Sequence, residues 1–264
     1  MKKFSIIILF LILFFTLFGN SLSPHDPLTQ IIEDRLQTPN FHYWMGTDFL
    51  GRDLFSRIWQ GARISLSIGI GTALFSLFFG VTTGGISGYY GGKIDLLLQS
   101  VMEGISIFPT VLLAILLLLL FDRSLFGIFL ALGILTWIHQ ARVSRNLVLK
   151  IKEEPYIESA KAMGLSDFKI LSKHILPHLK NQILVVLTYQ IPSNVLAESF
   201  LSFIGLGVQP PKASWGSLAR EGYRSIETAP HLILFPGGIL FITMLAFHFL
   251  GDSLSQEKKI QISL

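Results

Sequence analysis

Two histidines are the first residues to consider as ligands or catalysts. His174 and His178 lie four residues apart, a spacing that can place two zinc ligands on one face of a helix. Pro177 interrupts that helix and the chain has no H-E-x-x-H motif, so both are interpreted as polar surface residues. The chain also has no cysteine and no G-x-x-x-x-G-K-[ST] phosphate loop. We therefore predict no catalytic residue, no metal site, no cofactor and no enzymatic activity.

The stretch near residues 183–205 is the least apolar of the long hydrophobic runs, and three of its polar residues are candidates for a path or an interface. They are Gln190, Asn194 and Glu198, with Pro192 among them. Polar side chains at such a depth in a membrane face the interior of a helix bundle or a wet path. Glu198 is the main candidate for a residue that lines a transmembrane path or holds a subunit interface. A hydrogen bond between two helices explains its position at least as well.

The segment from Val148 to Lys180 is the most densely charged part of the chain. Placing a lysine or an aspartate at the centre of a bilayer costs about 2.5–3.5 kcal/mol. The segment must therefore be a loop in water. Its ten charged residues are Lys150, Lys152, Glu153, Glu154, Glu158, Lys161, Asp167, Lys169, Lys173 and Lys180.

This loop has the sequence signals of two short helices. Pro155 suits the first turn of a helix, Gly164 offers a left-handed stop, and Ser166 can cap a second helix. Pro177 is predicted to end that second helix. One apolar face of the second helix, predicted to be free to meet a partner, would consist of Phe168, Leu171 and Ile175.

Three interpretations of the loop compete. It could be a solvated connection between two membrane spans. The helix–glycine–helix pattern also suits a helix-turn-helix for DNA, but both of its ends are tied to membrane spans, and we predict no nucleic-acid partner. The third interpretation is a docking element for a soluble protein.

The rest of the chain is that of a polytopic membrane protein. Of its 264 residues, 51% are hydrophobic and only 14% are charged, with a mean hydropathy of +0.58. Several runs approach the roughly 20 apolar residues that a helix needs to cross about 30 Å of hydrocarbon. We predict an all-α protein with about six spans, near residues 1–19, 64–84, 96–121, 125–141, 183–205 and 232–250.

Local signals refine this layout. Residues 1–19 suit a signal peptide or a retained anchor, and the absence of an A-x-A cleavage pattern favours the anchor. Gly80 and Gly84 form a pair of small residues that permits close helix approach, and residues 84–93 look like a turn. Before the second span, Gly46 and Gly51 suit turns. A locally paired charged cap on that span is predicted from Asp48, Arg52, Asp53 and Arg57.

The basic residues set the predicted orientation. With six spans and the amino terminus in the cytoplasm, thirteen lysines and arginines lie inside and eight outside. Residues 142–180 alone contribute eight of the thirteen. The charged loop is therefore predicted to face the cytoplasm. Lys258 and Lys259, in the tail, belong to the same count.

The loop resembles the E-A-A…G…I-x-L-P signature of bacterial ATP-binding-cassette (ABC) importer permeases. The match is carried by Glu158, Ala160, Gly164, Leu176 and Pro177. Ser159 replaces the second alanine, and His174 replaces the isoleucine, as is common in the peptide and nickel branch of the family. The resemblance implies that these residues, including Ser159, couple the chain to an ATPase subunit.

Three further motifs resemble the dipeptide, oligopeptide and nickel permeases. They are the G-T-D…G-R-D…S-R…G-A-R run of residues 46–63, the A-E-S-F-L-S-F-I-G-L-G-V-Q-P-P…W-G run of residues 197–216, and the P-G…F…G-D run of residues 236–252. Phe200 and Ile204 replace leucine-type residues in the second run. His248 replaces an asparagine in the third run.

The resemblance implies the fold of a type I ABC importer permease, in the bacterial inner membrane. It implies a second permease subunit, separate ATPase subunits and an extracytoplasmic solute-binding protein as partners, besides membrane lipid. The predicted divisions are residues 1–62 as anchor and external segment, 63–252 as permease domain, and 253–264 as cytoplasmic tail. Di- or oligopeptides are the expected substrates, with nickel or another small solute as the alternative. A gradient-driven carrier is a further alternative, although the two halves show no repeat.

Overall fold

The computed structural model describes residues 2–262, and the side chains of residues 2–256. The tail lysines Lys258 and Lys259 lie outside the described side chains. Over the described residues the chain is helical, and its one β-bridge joins Thr47 to Asp53. Its helices are α1 (Lys2–Leu22), α2 (Leu54–Tyr90), α3 (Gly92–Ser106), α4 (Thr110–Phe121), α5 (Leu125–Lys152), α6 (Pro155–Ala162), α7 (Asp167–Ile170), α8 (Leu176–Phe203), α9 (Trp215–Tyr223) and α10 (His231–Ile262).

The prediction of an all-α polytopic protein is confirmed. Five of the described helical stretches are long and apolar enough to cross a membrane, and a sixth is obtained if α3 and α4 count as one span. The third span, expected near residues 96–121, corresponds to the pair of α3 and α4, which meet at an angle of 90°. Pro109 stands at this corner as the N-cap residue of α4, and a proline disfavours helical backbone in the residue before it.

Two other boundaries were predicted wrongly. The second span was expected from residue 64 and the following turn from residue 84, but α2 runs unbroken from Leu54 to Tyr90. The fourth span was expected to end near residue 141, but α5 continues to Lys152. In both cases polar residues extend a helix beyond its apolar part. Hydropathy therefore located the spans but not the ends of the helices.

Helices α2 and α5 pack together through a row of glycines. A Cβ atom on Gly84 would lie 2.2 Å from the carbonyl oxygen of Ala141, and one on Gly88 would lie 2.8 Å from that of Arg145. One on Gly80 would lie 2.5 Å from Cβ of Gln140. Because these glycines have no side chain, the two backbones can approach so closely that no Cβ would fit between them. The small-residue pattern predicted such a close approach.

A buried ion cluster connects the segment between α1 and α2 (residues 23–53, the cap segment) to α2 and α9. Arg57 and Arg52 both contact the carboxylate of Asp48, and Arg57 also donates to Glu221 of α9 at 2.9 and 3.2 Å. Asp53 caps α2 by accepting from the Ser56 amide at 2.8 Å. The predicted charged cap is thus confirmed, and its partner Glu221 comes from a distant part of the chain.

The glycine contact yields a direct test. Gly84→Ala should destabilise the chain by about 1–3 kcal/mol, because its Cβ would collide with a backbone atom that has no rotamer to change. Thermal unfolding of the purified chain in detergent measures this difference.

The neighbouring Gly85→Ala is the matched control. Its Cβ would meet Cδ2 of Leu176 at 3.5 Å, which is ordinary van der Waals contact. Alanine is also the better helix former by about 1 kcal/mol, so this variant should be neutral or more stable. Equal unfolding temperatures for both variants would contradict the close approach of α2 and α5.

Candidate functional site

The charged loop folds onto a buried apolar base formed by this chain. Ile157 and Ala160 of α6 pack with Ile170, Leu171 and Ile175, and all five are at most 9% exposed. They contact Tyr89 near the end of α2, Val148 of α5 and Leu179 of α8. Each buried isoleucine contributes about 1.5–3 kcal/mol relative to leaving it in water. The loop is therefore a folded element attached to three long helices.

Gly164 makes the predicted corner between α6 and α7. The φ angle of Gly164 is +76°, in the left-handed region. The Gly164 amide donates to the carbonyl of Lys161 at 2.9 Å, and the Leu165 amide donates to the carbonyl of Ala160 at 3.3 Å. This hydrogen-bond pair is a Schellman motif, which closes the end of α6. Apart from its two chain neighbours, no described residue lies within 4 Å of where a Cβ on Gly164 would stand. The corner therefore points into open space.

The second half of the loop differs from the prediction. After α7 the chain makes a π-helical turn at Leu171–Ile175 and enters α8 at Leu176, so Pro177 does not end a helix. Proline has no N–H for the carbonyl four residues back and clashes with it, and the wider turn accommodates that defect. Ser166 occupies the N-cap position of α7 but makes no side-chain cap bond.

The predicted apolar face is also divided. Leu171 and Ile175 point inward and are at most 9% exposed, whereas Phe168 is 76% exposed. Met163, beside the corner, is 73% exposed and was not singled out from the sequence. The exposed apolar surface of the loop is thus its tip, formed by Met163 and Phe168, while the helix face supports the loop from below.

The six residues matched to the E-A-A signature occupy both surfaces of the loop. Ala160 is buried and Leu176 is half-buried, where its Cδ2 packs near Gly85 of α2. The remaining four, exposed on the loop surface, are Glu158, Ser159, Gly164 and Pro177. Beside them, burial and then the charge of Glu154 raise the pKa of Tyr156.

Tyr89 fastens the loop to α2, which the sequence did not reveal. Its hydroxyl donates to Oδ1 of Asp167 at 2.6 Å, and its backbone carbonyl accepts from Nζ of Lys152 at 2.5 Å. The ammonium groups of Lys152 and Lys161 lie 5.7 and 5.9 Å from its ring centroid, within the range of cation–π attraction. The partners are 63 to 78 residues away, so no local pattern could indicate them.

An ion pair joins helices at the same end of the bundle as Tyr89. Arg145 of α5 donates to both carboxylate oxygens of Asp95 on α3, at 2.7 and 2.5 Å. Ser87 of α2 donates to the same carboxylate at 2.5 Å. Helices α2, α3 and α5 are therefore joined by charge-assisted hydrogen bonds just before the loop begins.

A cavity of about 540 Å³ lies between α5 and α8. Its polar wall consists of Thr136 and His139 from α5 and Tyr189, Gln190, Ser193 and Asn194 from α8. Gln190 donates to the carbonyl of Thr136 at 3.3 Å, while its own carbonyl oxygen is buried and has no partner among the described atoms. Two of the three polar residues singled out in this run therefore face one cavity.

Glu198 lies outside that cavity, fully buried between helices. Its carboxylate accepts from Ser65 of α2 at 2.8 Å and from Ser202 of α8 at 2.6 Å. Ser65 in turn accepts from the amide of Trp215, the first residue of α9. This is the helix–helix hydrogen bond that the sequence allowed as one explanation. Pro192 leaves α8 unbroken from Leu176 to Phe203.

Comparison with known proteins decides the family. Residues 80–257 match the family described as the binding-protein-dependent transport system inner membrane component. The chain belongs to this family. It is therefore a multi-pass permease component of the inner membrane.

Individual relatives agree over nearly the whole chain. The oligopeptide transport system permease protein of Bacillus subtilis (strain 168) is 38% identical over 249 residues, which are 94% of this chain and 82% of the relative. The dipeptide transport system permease protein of the same organism is 40% identical, with 93% and 78% covered. A glutathione transport system permease protein of Pectobacterium atrosepticum is 38% identical, with 88% and 78% covered.

A solved structure confirms the fold. A methionine ABC transporter in an inward-facing conformation matches with a TM-score of 0.63, covering 77% of this chain and 95% of that one, at 18% identity. At this identity the match concerns the fold alone. The expected ABC importer permease fold is thereby confirmed.

The Tyr89 contact yields a prediction about the loop. Tyr89→Phe removes the hydrogen bond to Asp167, which is worth about 1 kcal/mol because Asp167 is exposed to water. The opening equilibrium of residues 155–170 should rise about fivefold, measured by hydrogen exchange of their amides.

Tyr90→Phe is the control for this measurement. Tyr90 is the neighbouring tyrosine, 46% exposed, and its ring contacts Tyr89 edge-on. It should leave the exchange of residues 155–170 unchanged. Equal exchange in the two variants would mean that Tyr89 does not hold the loop.

Proposed function

We propose that this chain is one of two membrane subunits of an ABC importer for di- or oligopeptides. It forms half of the translocation path and is driven by separate ATPase subunits through the loop of α6 and α7. An extracytoplasmic solute-binding protein delivers the substrate. The observation that carries the proposal is the loop itself, in which a buried base supports an exposed apolar tip of Met163 and Phe168.

The loop has the properties of a docking surface for a soluble partner. Two large apolar side chains exposed to water at a loop tip are the kind of anchor that protein interfaces bury. The open corner at Gly164 leaves room for a partner to approach the backbone. Within this proposal the exposed Glu158, Ser159 and Pro177 border the contact, while Ala160 and Leu176 support it from inside the chain.

The substrate class rests on the relatives. These relatives are named for the transport of oligopeptides, dipeptides and glutathione, which are all peptides, and this supports peptides over nickel. The cavity between α5 and α8 supports a path for such polar solutes, because the amide and hydroxyl side chains that line it can form hydrogen bonds with the peptide groups of a passing substrate. Gln190 and Asn194 then line the path, and Glu198 stabilises the contact of α2, α8 and α9 beside it.

The orientation follows from charge. We place the amino terminus in the cytoplasm, so that α1 is a retained anchor and the loop faces nucleotide and ATPase. The support is the count of thirteen lysines and arginines inside against eight outside. The division into residues 1–62, 63–252 and 253–264 remains part of this proposal, although α2 crosses its first boundary without a break.

Closure of the ATPase subunits would shift the population between inward-open and outward-open arrangements. In proteoliposomes with all subunits, uptake should therefore require ATP inside and survive collapse of ion gradients. Uptake that follows the gradients and ignores ATP would establish the carrier alternative instead.

The docking surface is tested by substituting Phe168. Phe168→Asp should weaken ATPase binding by about 2 kcal/mol, roughly 30-fold in affinity, because an apolar anchor becomes a charge in the contact. The measurement is ATPase binding to the membrane subunits in nanodiscs, with unfolding temperature as a check of the fold.

Phe168→Leu is the matched control, since it keeps an apolar side chain at the same place. It should bind ATPase with nearly native affinity. If the aspartate variant binds as tightly as the leucine variant, the tip of the loop is not the docking surface.

A further inference from the structure

Two histidines of the cap segment stand with their ring nitrogens facing each other. Nε2 of His25 lies 3.2 Å from Nε2 of His42, and the ring centroids are 4.6 Å apart at 79°. They are 17 residues apart in sequence, which is why their spacing did not suggest a site. The site described above for transport uses neither residue.

The separation of the two nitrogens fits two bonds to a single metal ion. Imidazole nitrogens bind zinc at about 2.0–2.1 Å, so two of them at a tetrahedral angle stand about 3.3 Å apart. At a right angle, as in square-planar or octahedral complexes, they stand about 2.9 Å apart. The observed distance lies between these values.

Hydrogen bonds anchor the backbone of both histidines, and the ring of Tyr43 contacts both imidazole rings without using their nitrogens. The carbonyl of His25 accepts from the Ser56 hydroxyl at 2.8 Å, and the amide of His42 donates to Oδ1 of Asn40 at 2.9 Å. The ring of Tyr43 lies 4.7 Å from each histidine ring. The pair is therefore arranged before any ligand arrives, which reduces the entropy lost on binding.

The surroundings favour a cation that can enter from water. His42 is exposed and His25 is half-buried. The cap segment contains five carboxylates, of Asp26, Glu33, Asp34, Asp48 and Asp53, against three guanidinium groups, of Arg35 and Arg52 in the segment and of Arg57, which contacts Asp48 from α2. The excess negative charge raises the local concentration of divalent cations.

We propose that His25 and His42 together bind one divalent transition-metal ion, such as Cu²⁺, Ni²⁺ or Zn²⁺. Among the described residues no group of three or more histidine, aspartate and glutamate side chains could hold an ion, so water completes its coordination. The ion ties the chain just after α1 to the turn before α2. Imidazole ligands bind Cu²⁺ more tightly than Ni²⁺ or Zn²⁺, and the same order is expected here.

The test uses the full-length chain with its copurified subunits in nanodiscs. An affinity tag without histidine is required, and Cu²⁺ is titrated calorimetrically. Compared with the wild type, the double variant His25→Ala with His42→Ala should lose one bound ion per chain. Each single variant should weaken that site at least tenfold, and the electron paramagnetic resonance of bound Cu²⁺ should show two nitrogen ligands.

Two other histidines provide matched controls. His178→Ala and His248→Ala remove histidines that lie on other elements, and neither should change the stoichiometry or the affinity. His42→Ala alters an exposed side chain, so its fold should survive, which size-exclusion chromatography checks. The same number of ions bound by wild type and double variant would overturn the proposal, leaving only a contact between the two imidazole rings.

Discussion

The close contact between α2 and α5 is the constraint on which the rest of the structure depends. Gly80, Gly84 and Gly88 bring the two backbones together where no side chain would fit. In lipid there is no hydrophobic force between helices, so close packing of this kind holds spans together. Helix α5 leads directly into the loop and also forms one wall of the cavity. One contact therefore positions both the loop and the cavity.

The loop continues this arrangement into water. Its inner residues are covered by Tyr89, Val148 and Leu179, which belong to α2, α5 and α8. The bond between Tyr89 and Asp167 adds a directional contact to this apolar base. A force applied at Met163 or Phe168 would therefore reach α2 and α5 together. The opposite wall of the cavity, on α8, follows the loop directly through the π-helical turn at Leu171–Ile175, and Leu179 of α8 also packs against the loop.

The sequence predicted the kinds of elements well because hydropathy and charge act locally. The charged loop, its corner at Gly164 and the glycine contact of α2 follow from composition and backbone geometry alone. The bend at Pro109 and the long polar extensions of α2 and α5 did not, because they depend on what the helices meet. Phe168 and Leu171 lie three residues apart, and only tertiary packing decides that one is exposed and the other covered.

Contacts between residues distant in sequence could not be predicted for the same reason. Tyr89 with Asp167, Arg57 with Glu221 and Glu198 with Ser65 each join residues more than 70 positions apart. Glu198 shows the limit most clearly, since its depth in an apolar run indicated a polar partner but not which helix would supply it.

From the contacts of Tyr89 with the loop, we infer that the loop and the adjoining end of α2 move together during transport. Cysteines placed at Tyr89 and Asp167, in a chain that has none of its own, can be bridged by a short bis-methanethiosulfonate reagent, which forms a disulfide with each thiol and releases a sulfinate, so that the bridge is reducible. ATP-driven uptake is then compared before bridging, after bridging and after reduction. Joint movement predicts that bridging does not lower uptake. Uptake that stops on bridging and returns on reduction would show that the loop pivots against α2, which would contradict joint movement.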